Sequence, residues 1–184
     1  MTMSRKIIIL NGSPRKNGNT SALTEQFRRG AEEAGNEVKE FFLSQMRING
    51  CIGCWHGGRD AEHPCSQRDD MEDIYPEYRD ADVVVLASPL YYWFISGFLK
   101  NAFDRLFAIA ESDPDYRNPR KKCALIMSAE GAGFEESEYW YDRLEKHIGW
   151  TSIGKVLCAS VTQPGDTKGR KELAEAYALG KAIQ

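Results

Sequence analysis

Short apolar runs alternate along this chain with longer segments in which apolar residues recur every three or four positions. The run at residues 6–10 reads Lys-Ile-Ile-Ile-Leu, and a helical pattern follows it at residues 22–34. The same reasoning predicts further strands at 37–43, 81–88, 123–128 and 154–161, with helices at roughly 71–80, 97–110, 135–148 and 168–182. Strands that alternate with helices predict a parallel sheet with helices on both faces.

Five strands in 184 residues fit one α/β domain, residues 1–184, without an internal repeat or a linker. The expected fold is a flavodoxin-like doubly wound five-stranded parallel sheet with strand order 2-1-3-4-5. The irregular stretch at about 48–68 is long for a connection inside a compact domain, which is typical of a functional loop.

The composition is that of an ordinary globular protein, with 42% hydrophobic and 28% charged residues and a net charge of −3. This charge gives no electrostatic reason to expect nucleic-acid binding. No apolar run approaches the ~20 residues that span a bilayer, and the first strand begins too early for a secretory leader. We therefore expect a cytoplasmic protein without membrane or nucleic-acid partners, whose five cysteines are thiols or metal ligands.

The loop between the first strand and the first helix is dense in hydroxyl, amide and cationic side chains. A strand that enters a helix through such a loop presents free backbone N–H groups and the positive end of the helix dipole at one point, which suits a phosphate. The loop lacks both the Gly-Lys-Ser/Thr ending of triphosphate loops and the G-x-G-x-x-G fingerprint. Its candidate phosphate ligands, besides local backbone N–H groups, are Ser13, Arg15, Asn17, Asn19, Thr20 and Ser21. The plainer alternative is that Asn19 or Thr20 only caps the helix.

Two further loops are expected at the same edge, because ligands of open α/β sheets bind outside the carboxyl ends of the strands. Pro89 is expected to end the third strand, and four consecutive aromatic residues follow at 91–94. Of these, Phe94 is expected beneath the neighbouring helix. The fourth strand ends in a glycine turn at 128–133, which allows a backbone to approach a flat ring closely. The three loops together suit a planar ring with a phosphorylated tail.

The segment 12–20 (Gly-Ser-Pro-Arg-Lys-Asn-Gly-Asn-Thr), the Ser-Pro-Leu-Tyr loop at 88–91 and the phenylalanine-rich helix after it resemble the flavodoxin-like NADPH-dependent FMN reductase family. The subgroup that the chain resembles is that of the iron–sulfur flavoproteins. The resemblance implies a homodimer or homotetramer that binds FMN, with the phosphate in the 13–21 loop, where Gly18 joins the ligands named above. It places the flavin ring and ribityl chain between Pro89, Leu90, Tyr91, Tyr92 and Trp93 on one side and Ala129, Glu130, Gly131 and Gly133 on the other.

Three cysteines fall in the irregular segment, namely Cys51, Cys54 and Cys65. The iron–sulfur flavoproteins that the chain resembles carry four closely spaced cysteines here, and this chain has Gly57 in the place of the third. A [4Fe–4S] cluster takes four thiolates, whereas three cysteines with His56 or His63 could hold zinc. A loop without metal is the favoured interpretation, and a cluster completed by another ligand or a zinc site stays open. Cys123 and Cys158 sit in predicted strands and are expected in the core.

These features predict an FMN-dependent oxidoreductase that passes electrons from NAD(P)H to a small acceptor such as a quinone, a nitro or azo compound or free flavin. No side chain is assigned as catalytic, because flavin accepts the hydride itself. The alternative is a flavin electron-transfer protein, with or without a metal centre, that serves a protein partner. A phosphate-ester hydrolase is a weaker alternative, because the phosphate loop contains no cysteine nucleophile. The acceptor and the choice between NADH and NADPH stay open.

Overall fold

The computed structural model describes residues 4–55, 57–58, 60 and 62–184. Its strands are β1 Lys6–Asn11, β2 Glu37–Phe42, β3 Val83–Tyr91, β4 Phe94–Ile95, β5 Lys122–Ser128 and β6 Thr151–Cys158. Its helices are α1 Asn19–Glu33, α2 Met71–Asp80, α3 Gly97–Arg105, α4 Phe107–Ala110, α5 Glu135–Ile148 and α6 Lys171–Lys181, with a short 3-10 turn at Leu43–Gln45.

The five long strands form a parallel sheet in the order β2-β1-β3-β5-β6. This is the predicted order, and the predicted flavodoxin-like fold is confirmed. The prediction lacked β4, a two-residue strand that pairs antiparallel with the end of β3. It was also wrong to end the third strand at Pro89, since β3 continues to Tyr91. Pro89 is tolerated because β1 stops beside Ala87, so no β1 residue lies opposite its missing N–H.

Helices cover both faces of the sheet because side chains alternate along each strand. On one face, Ile7 and Ile9 pack with Leu23 and Phe27 of α1. On the other face, Ile8 and Leu10 join a larger cluster that includes residues of α2, α3 and α5. Cys123 and Cys158 are fully buried within these clusters, as predicted.

Two glycines allow α1 and α6 to pack with their backbones in close approach. A Cβ atom on Gly30 would overlap the carbonyl oxygen of Tyr177, and one on Gly180 would overlap that of Phe27. The sequence does not reveal this reciprocal contact, because glycine within a helical pattern is usually only a weak helix former.

Several element boundaries differ from the predictions. The first helix begins at Asn19, three residues before the predicted start, and β6 covers Thr151–Cys158 rather than 154–161. The helix predicted at 97–110 is divided at Leu106, whose N–H donates to the carbonyl of Phe103 three residues earlier. Among the helices of the described residues, none is both long enough and apolar enough to cross a membrane.

Candidate functional site

Three loops meet at the carboxyl edge of the sheet, where β1, β3 and β5 end beside one another. They enclose a cavity of about 190 Å³. The cavity is lined by Ser13, Pro14, Arg15, Gly18, Asn19, Thr20, Pro89, Leu90, Tyr91, Ser128, Ala129, Glu130, Val161 and Thr162.

Hydrogen bonds within the loop after β1 fix its shape. The carbonyl oxygen of Arg15 accepts from the hydroxyls of Ser13 and Ser21, each at 3.1 Å, and from the backbone N–H of Gly18 at 3.0 Å. The Ser13 hydroxyl also accepts from the N–H of Arg15 at 3.2 Å. Residues 13–18 therefore form a closed turn that is held by its own hydrogen bonds.

The first turn of α1 lies in the wall of this cavity. Its N-cap residue is Gly18, no side chain caps the helix, and the turn contains no acidic residue. The capping alternative for Asn19 and Thr20 is therefore wrong. The Oδ1 atom of Asn19 is buried without a hydrogen-bond partner among the described residues, while Thr20 Oγ1 lies 2.8 Å from Ser128 Oγ in the cavity wall. An uncapped helix N-terminus beside two hydroxyls is suited to bind an anion.

Two serines join the loop after β1 to the segment after β3. Ser88 Oγ accepts from the N–H of Ser96 at 2.8 Å, and Ser96 Oγ donates to the carbonyl of Gly12 at 2.7 Å. The same Ser96 hydroxyl caps α3 by accepting from the N–H of Leu99. A Cβ atom on Gly12 would lie 2.5 Å from Ser96 Oγ, so this approach of α3 to the end of β1 requires glycine.

The aromatic segment forms a tight hairpin between β3 and β4. Tyr91 pairs with Phe94, which leaves Tyr92 and Trp93 as the two central turn residues. Both have left-handed backbones, with φ of 47° and 62°, in a turn geometry that usually takes Asn-Gly. Tyr92 is 92% exposed. Phe94 packs edge-on against Trp140 of α5, with ring centroids 5.4 Å apart, as expected for a residue beneath a helix.

The structure brings ten of the sixteen candidate cofactor residues into the cavity wall. The other six lie outside it, namely Asn17, Ser21, Tyr92, Trp93, Gly131 and Gly133. Of these, Ser21 supports the loop from behind, and Gly133 lies beside the Trp93 ring, where a Cβ atom would be 3.3 Å from Cδ1. The candidate set missed four lining residues, Pro14, Ser128, Val161 and Thr162. The signal for Val161 and Thr162 was the end of the last strand, which reaches the same edge.

The three loop cysteines line a second cavity of about 370 Å³, beside Trp55 and Phe107. Within the described residues, no three His, Cys, Asp or Glu side chains group closely enough to hold a metal ion. His56 lies outside the described residues, and His63 Nδ1 is 3.0 Å from a carboxylate oxygen of Glu72.

Gly57 stands in the place of the missing third thiolate. A Cβ atom on Gly57 would overlap the carboxylate of Glu111 and lie 3.1 Å from the carbonyl oxygen of Pro64. The described residues therefore do not fit a cluster held by four thiolates.

One buried ion pair closes the base of the cysteine loop. Arg105 and Asp69 have side chains only 1% and 5% exposed, and Arg105 Nη1 lies 2.5 Å from Asp69 Oδ2. Arg105 also donates to the carbonyl of Asn49 at 3.2 Å, and Asp69 accepts from the N–H of Asn49 at 3.0 Å. Burial alone would raise the pKa of Asp69, but hydrogen bonds from Arg105 and from the N–H groups of Asn49 and Met71 hold it below its usual value. Sequence reasoning missed this pair.

Comparison of the sequence with known families matches residues 5–162 to the family described as NADPH-dependent FMN reductase. The chain belongs to this family. An NADPH-dependent FMN reductase is a flavin oxidoreductase with FMN as cofactor, and the predicted enzyme class and cofactor are confirmed. The uncapped N-terminus of α1 and the hydroxyls of Thr20 and Ser128 form a donor set that fits the FMN phosphate.

Curated relatives agree with this assignment. The chain is 31% identical over 178 residues to an iron–sulfur flavoprotein of Archaeoglobus fulgidus, a match that covers 97% of this chain and 78% of that protein. It is also 31% identical over 131 residues to iron–sulfur flavoprotein MJ0731 of Methanocaldococcus jannaschii, covering 71% of this chain and 65% of the relative.

A solved structure, the NAD(P)H:quinone oxidoreductase from Methanothermobacter marburgensis, shares the fold. It superimposes with a TM-score of 0.71 over 97% of this chain and 96% of the other, at 18% sequence identity. At this level of identity, the likeness supports the architecture of the sheet and helices.

Proposed function

We propose that this FMN reductase passes electrons from NAD(P)H to a small acceptor such as a quinone, a nitro or azo compound or free flavin. One observation carries the proposal: the uncapped first turn of α1 opens into a cavity that adjoins an exposed aromatic hairpin. Bound FMN supplies the redox chemistry, since it takes a hydride and returns electrons to an acceptor. The chain binds the cofactor, orients it and leaves one side open to small molecules.

The cavity takes the phosphate end of the cofactor in this proposal. Its volume of about 190 Å³ is below the roughly 300–1,000 Å³ of pockets that enclose a whole ligand. The hydroxyls of Thr20 and Ser128 and the N-terminus of α1 would hold the phosphate. Arg15, which reaches the carbonyl of Thr162 at 3.2 Å, adds positive charge at the mouth.

The aromatic residues of the hairpin would hold the flavin ring, outside the cavity. Tyr91 is in the cavity wall and is 44% exposed, and Tyr92 and Trp93 continue the aromatic surface beyond it. The turn after β5 borders the other side through Ala129 and Glu130. Exposed aromatic groups beside a phosphate site suit a tricyclic ring that small acceptors must reach.

Flavin titration and steady-state kinetics test the proposal. We expect the purified chain to quench FMN fluorescence stoichiometrically and to oxidise NADPH or NADH in the presence of menadione, a nitroaromatic compound or an azo dye. A chain that binds no added FMN would contradict the proposal.

The exposed hairpin is also compatible with the alternative of an electron-transfer protein, because a protein partner could reach the ring there. Negligible NAD(P)H oxidation with every small acceptor, together with rapid flavin reduction by a protein donor, would favour that alternative. A homodimer or homotetramer stays a prediction, and light scattering coupled to size-exclusion chromatography would measure it.

A further inference from the structure

A partly buried carboxylate lies behind the phosphate loop. Glu40 is on β2, an edge strand of the sheet, and its side chain points toward α1 rather than to solvent. Its Oε1 atom accepts from Asn11 Nδ2 at 2.8 Å and from Thr24 Oγ1 at 2.9 Å. Inward-pointing acids on strands are unusual unless their hydrogen bonds are satisfied, as they are here.

Asn11 connects this carboxylate to the loop. It is the last residue of β1 and is fully buried. Its Oδ1 accepts from the N–H of Ser13 at 2.9 Å, and its Nδ2 donates to Ser21 Oγ at 3.2 Å as well as to Glu40. Ser13 and Ser21 are the two residues whose hydroxyls close the turn on the Arg15 carbonyl.

Glu40 and the N–H of Ser13 favour the same orientation of the Asn11 amide. An ionised carboxylate only accepts hydrogen bonds, so the side of Asn11 that meets it must be the NH₂ group. The opposite side, Oδ1, is then left to hold the N–H of Ser13. A neutral amide at position 40 could donate as well as accept, and it would allow Asn11 to turn over and release Ser13.

Simple electrostatics predicts the opposite effect of this residue. A negative charge close to an anion site repels the anion, so removal of the Glu40 charge should strengthen phosphate binding. The orientation argument requires removal of the charge to weaken it. The two explanations therefore differ in the sign of one measurable change.

We propose that Glu40 is a positioning residue for the cofactor phosphate, acting through Asn11 on Ser13 and Ser21. This inference rests on the proposed function, since it assigns the cavity to the FMN phosphate. It gives a role to an acidic residue that touches neither the cavity nor the ring.

The test compares Glu40→Gln with Glu37→Gln, which removes the same charge from an exposed position on the same strand. Dissociation constants are measured for FMN and for riboflavin, which lacks the phosphate. We expect Glu40→Gln to raise the FMN constant about tenfold, equivalent to ~1.4 kcal/mol, and to leave the riboflavin constant within about twofold. Glu37→Gln should change neither. Circular dichroism establishes that both variants are folded.

Asn11→Ala provides the second arm, because Glu40 should have no further effect once Asn11 is absent. An additional loss of FMN affinity in the double variant would show that Glu40 acts by another route. Unchanged or tighter FMN binding by Glu40→Gln would overturn the inference, and so would equal weakening of FMN and riboflavin, which indicates a structural role. These results require a wild-type chain that binds FMN, whereas a wild type that does not bind would overturn the proposed function itself.

Discussion

The phosphate loop at 12–18 and the cysteine loop at 49–69 hold their shapes in different ways. The first is short, lies between β1 and α1, and is fixed by several hydrogen bonds that converge on the Arg15 carbonyl. The second has no helix or strand among its described residues, and the Arg105–Asp69 pair joins its two ends. The phosphate loop is held by several separate hydrogen bonds, whereas the two ends of the cysteine loop meet at a buried ion pair.

Because of this difference, substitutions in the two loops should affect different properties of the protein. Loss of one hydroxyl from the phosphate loop leaves the remaining bonds to hold the backbone, so the effect should fall on the ligand. Loss of one charge from the Arg105–Asp69 pair leaves the other charge buried, so the effect should fall on folding. We therefore expect substitutions in the phosphate loop to lower FMN affinity, and substitutions at the ion pair to lower the free energy of unfolding.

The largest expected effect is that of Asp69→Ala. This change strands the buried Arg105 guanidinium and removes the acceptor for the N–H groups of Asn49 and Met71. We expect the free energy of unfolding to fall by about 3–5 kcal/mol, measured by urea denaturation.

Asp70→Ala is the matched control, because the neighbouring Asp70 carboxylate makes exposed contacts with Arg47. It should cost about 1 kcal/mol or less. Similar losses in the two variants would mean that the ion pair is not what holds the cysteine loop.

Thr20→Val should have the next largest effect, and on the other property. The substitution keeps the volume but removes the hydroxyl that lies 2.8 Å from Ser128 Oγ in the cavity wall. We expect FMN affinity to fall about 10- to 100-fold, since hydrogen bonds to charged groups contribute roughly 1.5–3 kcal/mol. Ser112→Ala removes a hydroxyl outside this cavity, and it should leave FMN affinity unchanged. A Thr20→Val variant that binds FMN like the wild type would remove this threonine from the phosphate site.

The contribution of the Asp69 carboxylate to stability should also depend on pH. The pKa of Asp69 is below its usual value in the folded chain, so its contribution is present above the unfolded pKa near 3.9 and is lost as the pH falls through the folded pKa. The difference in unfolding free energy between wild type and Asp69→Asn should therefore be constant from pH 7 to 5 and narrow below pH 4. A difference that widens in acid would contradict the assigned direction.

The smallest expected effect is that of metal removal. Since the Arg105–Asp69 pair holds the cysteine loop, incubation with EDTA should change the free energy of unfolding by less than about 0.5 kcal/mol. Thermal unfolding before and after chelation, with metal analysis of the eluate, measures this. Release of a stoichiometric metal together with a fall in stability would show that Cys51, Cys54 and Cys65 do hold an ion.

Much of the fold and part of the site follow from local sequence features. The order of the long strands and the phosphate loop could be predicted because apolar runs and loop residues act over a few positions. Two of the four missed cavity residues reflect a strand end that was predicted in the wrong place. Val161 and Thr162 follow β6, whose predicted end was three residues too late.

Contacts between distant residues could not be predicted in this way. Arg105 and Asp69 are 36 residues apart, and each is an ordinary surface residue type until the tertiary structure buries it. The turn at Tyr92 and Trp93 could not be predicted either, because two-residue hairpin turns usually contain Asn, Asp or Gly rather than aromatic residues. The ion pair depends on the tertiary contact between its two residues, and the turn depends on the pairing of β3 with β4. Neither can be inferred from residues adjacent in sequence.

At Tyr92 and Trp93, the residues that would stabilise the left-handed turn differ from those that would contact the flavin. Asn and Gly would adopt these backbone angles with less strain, so the pair Tyr92→Asn and Trp93→Gly should relax the hairpin while removing its aromatic surface. A laboratory search for heat-resistant variants would thus be drawn toward changes that erase the platform proposed for the flavin. Selection for turnover would restore the bulky rings at the expense of thermal tolerance.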